Sequence, residues 1–264
     1  MFPERIVCLT EETTETLYLL EEDWRIVGIS GYSERPERAR QEKPVIGAFT
    51  TAQVEAIIDL RPDLVLGFSD LQTDICADLI RRGIEVHVFN QRSIEGILQM
   101  IHTLGGLIDR CEKAAQLADR LQAGLDVART TTEQRLATGW RRPKVLFEEW
   151  DDPLITGIRW VSELIEIAGG EDCYRELGTR SLARDRIVSD LDDVVERNPD
   201  IIIGSWCGKP FQPEVVKQRA GWREITAVKN NRLFEIRSSL ILQPGPAPLT
   251  DGLQALQSII GRIS

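Results

Sequence analysis

Five consecutive residues with reactive or flat side chains, Glu148-Glu149-Trp150-Asp151-Asp152, follow the apolar run Val145-Leu146-Phe147, and Arg159 and Trp160 come shortly after. Two carboxylates set about 5 to 10 Å apart could hydrolyse a glycoside. Neighbouring residues on a strand point to opposite faces, however, so this run is a poor source of such a pair. Carboxylates at the mouth of a cleft could instead attract a cation, a metal centre or hydrogen-bond donors. The indoles offer flat apolar faces to a ring-shaped ligand. Arg159 could bridge to a neighbouring carboxylate or reach an acidic group on a ligand, and Trp160, at a helix start, could simply pack.

Cys207, beside Trp206, could be a nucleophile or a soft metal ligand. The two histidines, His87 and His102, fall in a strand pattern and an amphipathic helix pattern, which gives a Cys/His pair little support. An inert thiol is the simpler reading. No phosphate-binding loop, GxGxxG, HExxH, GxSxG or zinc-finger spacing is found. We therefore assign no catalytic residue and no metal site, and expect a binding protein in preference to an enzyme.

The elements that must position these residues emerge from periodicity. Short apolar runs alternate with helical patterns: "RIVCL", a helix through "EETTETLYLL", then "RIVGIS", "PVIG", "LVLGF" and "VHVFN". This alternation predicts a largely parallel sheet. After a helix near 93–105, residues 109–138 show no strand signal, and Ala114, Leu117, Ala118, Leu121, Leu125 and Ala128 recur at helical spacing. Such a helix would be roughly 45 Å long, longer than one small lobe needs, and Gly139 or Pro143 would end it. Alternation then resumes with "KVLFEEW", a helix through "WVSELIEIA", another near 190–197, "IIIGSW", "RLFEIR" and a last helix from about 250. The fold class is α/β, with two Rossmann-like lobes at 1–108 and 141–264 joined by one backbone helix at 109–140.

The halves also repeat each other. "EAIIDLRPDLVLGFSD" (55–70) aligns without a gap on "DDVVERNPDIIIGSWC" (192–207), matching Pro62 with Pro199, Asp63 with Asp200 and Gly67 with Gly204. Each copy predicts a helix stopped before proline, feeding a buried strand that ends on glycine. In open α/β sheets ligands bind beyond the carboxyl ends of the strands. Those ends carry Tyr32, Phe49, Phe68, Trp150 and Trp206, a concentration in a chain with six Trp, three Tyr and seven Phe. They could form two walls of a cleft or could cap the edge of the core.

Composition narrows the partners. The 264 residues carry 42 acidic against 32 basic side chains, a net charge of -10. Such a surface disfavours nucleic acid and anionic lipid, and no run of 18 apolar residues predicts membrane insertion. Five scattered cysteines without CxxC spacing fit a reducing compartment better than a disulfide framework.

The segments "RIVCL…TE", "VGISGYSERPE" (27–37), "VEAIIDLRPDLVLG" (54–67), "ELIEIAGG" (163–170), "DDVVERNPDIIIG" (192–204) and "GPAPLTDGLQAL" together resemble the helical-backbone solute-binding proteins of cobalamin and iron-siderophore ABC importers. The resemblance covers nearly the whole chain, and Tyr32, the aromatic at 49 and the "PLITG" turn bring it nearest the cobalamin branch. It implies two lobes bridged by one helix, a ligand cleft between lobes, and cobalamin or a similar metal chelate as a non-covalent ligand. Positions matching Tyr32, Phe49 and Phe68 would contact that ligand; Glu149, Trp150, Arg159 and Trp206 complete the expected ligand-binding set. Glu55 and Asp192, which open the two repeat copies, match acidic residues that pair with permease arginines, though Asp192 is one methylene shorter than the usual glutamate. First-turn acids also complement a helix dipole in any protein.

Two further departures are the more highly charged loops "TEETTE" (10–15) and "EEWDD" (148–152), and the lack of a secretion-signal pattern at the start. The expected compartment is cytoplasmic, with a periplasmic location as the alternative, and the expected state is a monomer with a small-molecule ligand and an ABC permease as candidate partner. A siderophore or haem receptor, using Arg159 and Lys209, is the rival ligand class. A cytosolic metal-handling protein or enzyme using Glu149, Asp151 and Cys207 is the rival from outside binding proteins.

Overall fold

The computed structural model describes residues 2–263. It divides into two compact units: residues through Gln91 with Glu95–Leu121, and Arg92–Ile94 with the residues from Gln122 onward.

In the first unit, β1 (Ile6–Cys8), β2 (Ile26–Ile29), β3 (Leu64–Phe68) and β4 (Val86–Phe89) form one parallel sheet in the order β2-β1-β3-β4. β1 and β3 are buried throughout, as continuous apolar runs in the centre of a parallel sheet should be. Their core partners include Leu9, Ile57 and Leu79. The expected strand at "PVIG" does not form: Val45 makes one isolated bridge to Ile29. Gly47, at φ +125°, then turns the chain so that a Cβ there would lie 2.7 Å from the Thr51 carbonyl oxygen. The run therefore contributes a bridge to the sheet edge and leaves.

In the second unit, β5 (Lys144–Asp151) lies between β6 (Leu154–Thr156) and β8 (Ile201–Gly204), and β9 (Leu233–Glu235) closes the far side. β8 runs parallel to both β5 and β9, while β6 folds back antiparallel on the end of β5. The short β7 (Glu171–Asp172) pairs with the start of β5. Leu146, Val194, Ile202, Trp222 and Ile225 centre its core.

The 137-residue repeat has a physical role in both sheets. In the first, the Asp63 carboxylate accepts the backbone N–H groups of Glu4 and Arg5 just ahead of β1, at 3.0 and 2.8 Å. In the second, Asp200 accepts the N–H of Lys144 at the start of β5, at 2.8 Å. A basic side chain at the start of each strand reaches the helix end that leads into the aspartate: Arg5, just ahead of β1, donates to the carbonyl of Leu60, and Lys144 to that of Arg197. Arg61 and Asn198, matched by the same offset, share the left-handed backbone at φ 46° and 48°. The glycines keep close approaches open, since a Cβ on Gly204 would fall 1.9 Å from the Phe211 ring.

The long helix runs Cys111–Ala137, with residues 111–121 in the first unit and 122–137 in the second. Its predicted apolar positions are all buried. Lys113 pairs with Glu21 at 2.8 Å near one end, and the Thr132 hydroxyl donates to the Ile167 carbonyl near the other. Gly139, at φ +87°, follows the helix end, in the left-handed conformation that commonly stops helices. The helix thus belongs in part to each unit.

Candidate functional site

Each unit gathers polar and aromatic groups where its parallel strands exit. On the first unit, "TEETTE" is the buried start of the helix Glu11–Leu19 and not an exposed loop. Thr10 and residues 11–16 are all buried. The threonine hydroxyls are satisfied locally: Thr13 and Thr14 donate to the Thr10 carbonyl and Thr16 to that of Glu12. Thr10 donates to the Glu12 carboxyl at 2.8 Å. Burial pushes Glu12 up to about 8, with neighbouring Glu11 adding to it, and pushes Glu11 up to about 7. Glu15 pairs with Arg35 at 2.7 Å.

A single side chain organises the rest of this rim. Gln72 is fully buried. Its Oε1 accepts the Phe68 N–H at 2.8 Å, and its Nε2 donates to the carbonyls of Phe49, at 2.8 Å, and Leu9, at 3.2 Å. The exits of β1 and β3 and the Phe49 segment are thereby tied together. Phe49 is half-buried and Tyr32, after β2, is 54% exposed. Phe68 is 7% exposed, so its ring belongs to the buried interior more than to an open wall.

On the second unit the carboxylates that open the sequence analysis are met by internal cations. Glu148 is fully buried, with Arg219 donating to its two oxygens at 2.6 and 3.2 Å and the Trp206 indole N–H at 3.3 Å. Burial raises its pKa, against the pull of Arg219 and Trp206. Glu149 meets Arg186 at 2.6 Å, and burial likewise outweighs that partner. Arg186 is itself 2% exposed and also donates to the carbonyls of Thr156, Arg180 and Ser181. Asp151 pairs with Lys209 at 2.6 Å; burial would raise it, but Lys209 and backbone donors bring it below the ordinary range.

Several sequence expectations change accordingly. Glu149 is neutralised inside the unit and is not a free carboxylate awaiting a ligand. Trp206 is 3% exposed and packs edge-on against Phe211 with ring centroids 5.0 Å apart, so it is core and not an open face. Trp160 is also core, its indole N–H donating to Ile241. Arg159 sits at the start of the helix Arg159–Ile167 and pairs with Glu163 on the next turn at 2.8 Å, with over half of its side chain exposed. Trp150 remains half-exposed, its N–H held by the Asp152 carbonyl and its ring 4.2 Å from the Lys209 ammonium. Among the described residues no cluster of His, Cys, Asp and Glu could hold a metal ion.

Glu55 and Asp192 occupy matching first-turn positions of the helices Val54–Asp59 and Leu191–Arg197, and both are exposed. Glu55 pairs with Arg82 at 2.5 Å, and the Asp192 N–H is capped by Asp190. Sequence reading missed Gln72, Arg186 and Arg219. The only signal for the two arginines was the charge count of "EEWDD", which required cations from elsewhere in the chain once its strand was buried.

Two α/β units on mainly parallel sheets, a repeated helix-Pro-Asp-strand unit in each and a long helix belonging to both set the class of fold. The chain belongs to the periplasmic binding protein family, whose model matches residues 6–240. One relative is the high-affinity heme uptake system protein IsdE of Staphylococcus aureus (strain Newman), 29% identical over 244 residues that make up 88% of this chain and 78% of the relative. The crystal structure of S. aureus IsdE complexed with heme superposes with a TM-score of 0.81 at 26% identity, covering 98% of this chain and 99% of that one. The periplasmic vitamin B12 binding protein BtuF of Vibrio cholerae superposes with a TM-score of 0.76 at 20% identity, covering 98% and 97%, a likeness of fold alone. The expected kinship with helical-backbone solute-binding proteins of ABC importers holds. Its placement nearest the cobalamin branch does not gain support, since the heme-bound structure shares the higher identity of these two.

Proposed function

We propose that this protein is the ligand-receiving subunit of an ABC importer and that its ligand is a metal-bearing tetrapyrrole, haem ahead of a corrinoid. The observation that carries this reading is the match to a heme uptake protein along 88% of the chain. The rim chemistry agrees with it. Tyr32, Phe49 and Trp150 supply ring faces at strand exits, and Lys209, held over Trp150, could meet a carboxylate of the ligand. Tyrosine is an established haem-iron ligand type, and among these candidates Tyr32 alone has a ligating oxygen, on an exposed side chain. Glu55 and Asp192 are the proposed permease contacts, at equivalent places on the two units.

The test is titration of the purified protein with haemin and with cobalamin, followed by tryptophan fluorescence and the visible spectrum. Haemin is expected to bind at micromolar concentration or tighter, about -8 kcal/mol or better. Tyr32→Phe should change the iron spectrum, and Trp150→Ala should weaken binding about tenfold. An unshifted haemin spectrum together with unquenched fluorescence would reject the tetrapyrrole reading.

A second reading is a cytosolic relative that holds the same ligand without a permease. It is favoured by the five scattered cysteines, none of which forms a disulfide among the described residues. Fractionation of the native host separates the two: recovery with the cytosol supports the second, recovery outside the inner membrane the first.

A further inference from the structure

The bases of the second rim are answered by its own acids. Arg219 faces Glu148, Arg186 faces Glu149 and Lys209 faces Asp151, each at 2.6 Å, and Arg159 faces Glu163 at 2.8 Å. Arg92, whose charge acts on Glu149, and Arg237, beyond β9, are engaged as well. Asp152 and Glu235, at the ends of β5 and β9, equal those two in number. The charges named at this rim therefore cancel. On the first unit Arg35 pairs with Glu15, and Glu11 and Glu12 add two carboxyl groups met by hydroxyl and backbone donors. Neither rim, taken by itself, presents a surplus of positive charge.

Two of these pairs reach water. Arg159 keeps 56% of its side chain exposed against 29% for Glu163, and Lys209 keeps 36% against 12% for Asp151. In both the base points outward and the acid backs it. The acids are fixed in place: Glu163 also accepts the Ile94 N–H at 2.8 Å, and Asp151 holds an ammonium that lies 4.2 Å from the Trp150 ring and 5.1 Å from the Trp206 ring. An anion that approaches either base meets a carboxylate beside it, and repulsion at that range offsets most of the attraction.

We propose that Glu163 and Asp151 are specificity-determining residues: by neutralising Arg159 and Lys209 they exclude polyanionic chelates and restrict the ligand to a metal chelate of net charge near zero. Ferric haem, singly negative when its two carboxylates are ionised, falls inside that class. A trianionic ferric catecholate falls outside it, which removes the siderophore use of Arg159 and Lys209 that the sequence leaves open. The inference rests on the tetrapyrrole reading for the place of the site and adds the charge of what the site accepts.

Haemin and haemin dimethyl ester share iron and ring and differ in the two carboxylates, so titrating both by tryptophan fluorescence isolates charge. The parent should bind them within about threefold of each other. Glu163→Gln, whose amide can still accept the Ile94 N–H, and Asp151→Asn each release one base and should move the ratio about threefold toward haemin. A parent preference for haemin of about tenfold or more, or a ratio unchanged in both variants, overturns the inference and leaves the tetrapyrrole reading standing. If neither porphyrin binds, that reading falls, and ferrioxamine B, a monocation, against ferric enterobactin, a trianion, decides the inference alone. Preference for ferrioxamine B supports it; ferric enterobactin bound equally or more tightly, or neither bound, overturns it.

Discussion

The two rims handle the same problem, acids beside the ends of buried parallel strands, with different partners. On the first unit Glu11 and Glu12 are buried at a helix start with threonine hydroxyls around them, and burial raises both pKa values. On the second, Glu148, Glu149 and Asp151 each face a basic side chain at 2.6 Å. Burial raises Glu148 and Glu149 as well, but there a basic partner opposes it, whereas Glu11 and Glu12 have only hydroxyl and backbone donors. The first rim should therefore answer chiefly to pH, and the second most strongly to loss of a basic partner.

The largest expected effect lies on the second rim. Arg219→Met leaves Glu148 buried beside the Trp206 N–H alone and should destabilise the protein by about 3–5 kcal/mol. Adding Glu148→Gln should restore much of that loss. Denaturant titration of the parent and the two variants checks it, and equal stability of the single and double variants would remove the charge explanation.

Next comes the pH response of the first rim. Glu12 titrates near 8 in the folded protein against 4.5 for an ordinary glutamate, so the folded state holds the extra proton through that window. Its contribution to stability is fully present below pH 4.5 and is lost as pH rises to about 8. Thermal melts should therefore fall from roughly pH 5 to pH 8.5, by a few kcal/mol in all. Glu12→Gln should flatten the curve and leave the variant the more stable protein at the alkaline end. A parent melt that rises over this range would contradict the assignment.

The smallest effect sharpens the repeat. Asp63→Ala removes two charge-assisted bonds to backbone N–H groups, and Asp200→Ala removes one. Each bond to a charged group is worth about 1.5–3 kcal/mol when buried and less when exposed as here. Asp63→Ala should thus cost about 1–2 kcal/mol and Asp200→Ala about half as much. A reversed order in chemical denaturation would show that the number of backbone N–H groups held does not set the strength of the clip.

What the sequence made legible follows the same division. Strand centres such as Leu64–Phe68 and Ile201–Gly204, and the helix Cys111–Ala137, declare themselves because burial on a fixed period leaves a pattern in the residues. "PVIG" carries a strand's composition, yet the left-handed turn at Gly47 takes the chain off the sheet, an event that periodicity does not encode. Tyr32 and Trp150 were legible as rim candidates from their place after a strand. Trp206 shares that place and differs only in its neighbours, Phe211 and Glu148, which come from distant sequence. Gln72 was invisible for the converse reason: a lone amide after a turn resembles any solvated loop residue until its partners at Leu9, Phe49 and Phe68 are known.

That amide has a mechanical consequence. Three backbone segments far apart in sequence share one planar group, so none of them can shift without dragging or releasing the other two. Pressure applied at Phe49 would be felt at once where the first and third strands emerge, and this face of the first unit should yield as a plate does, all together, instead of loop by loop.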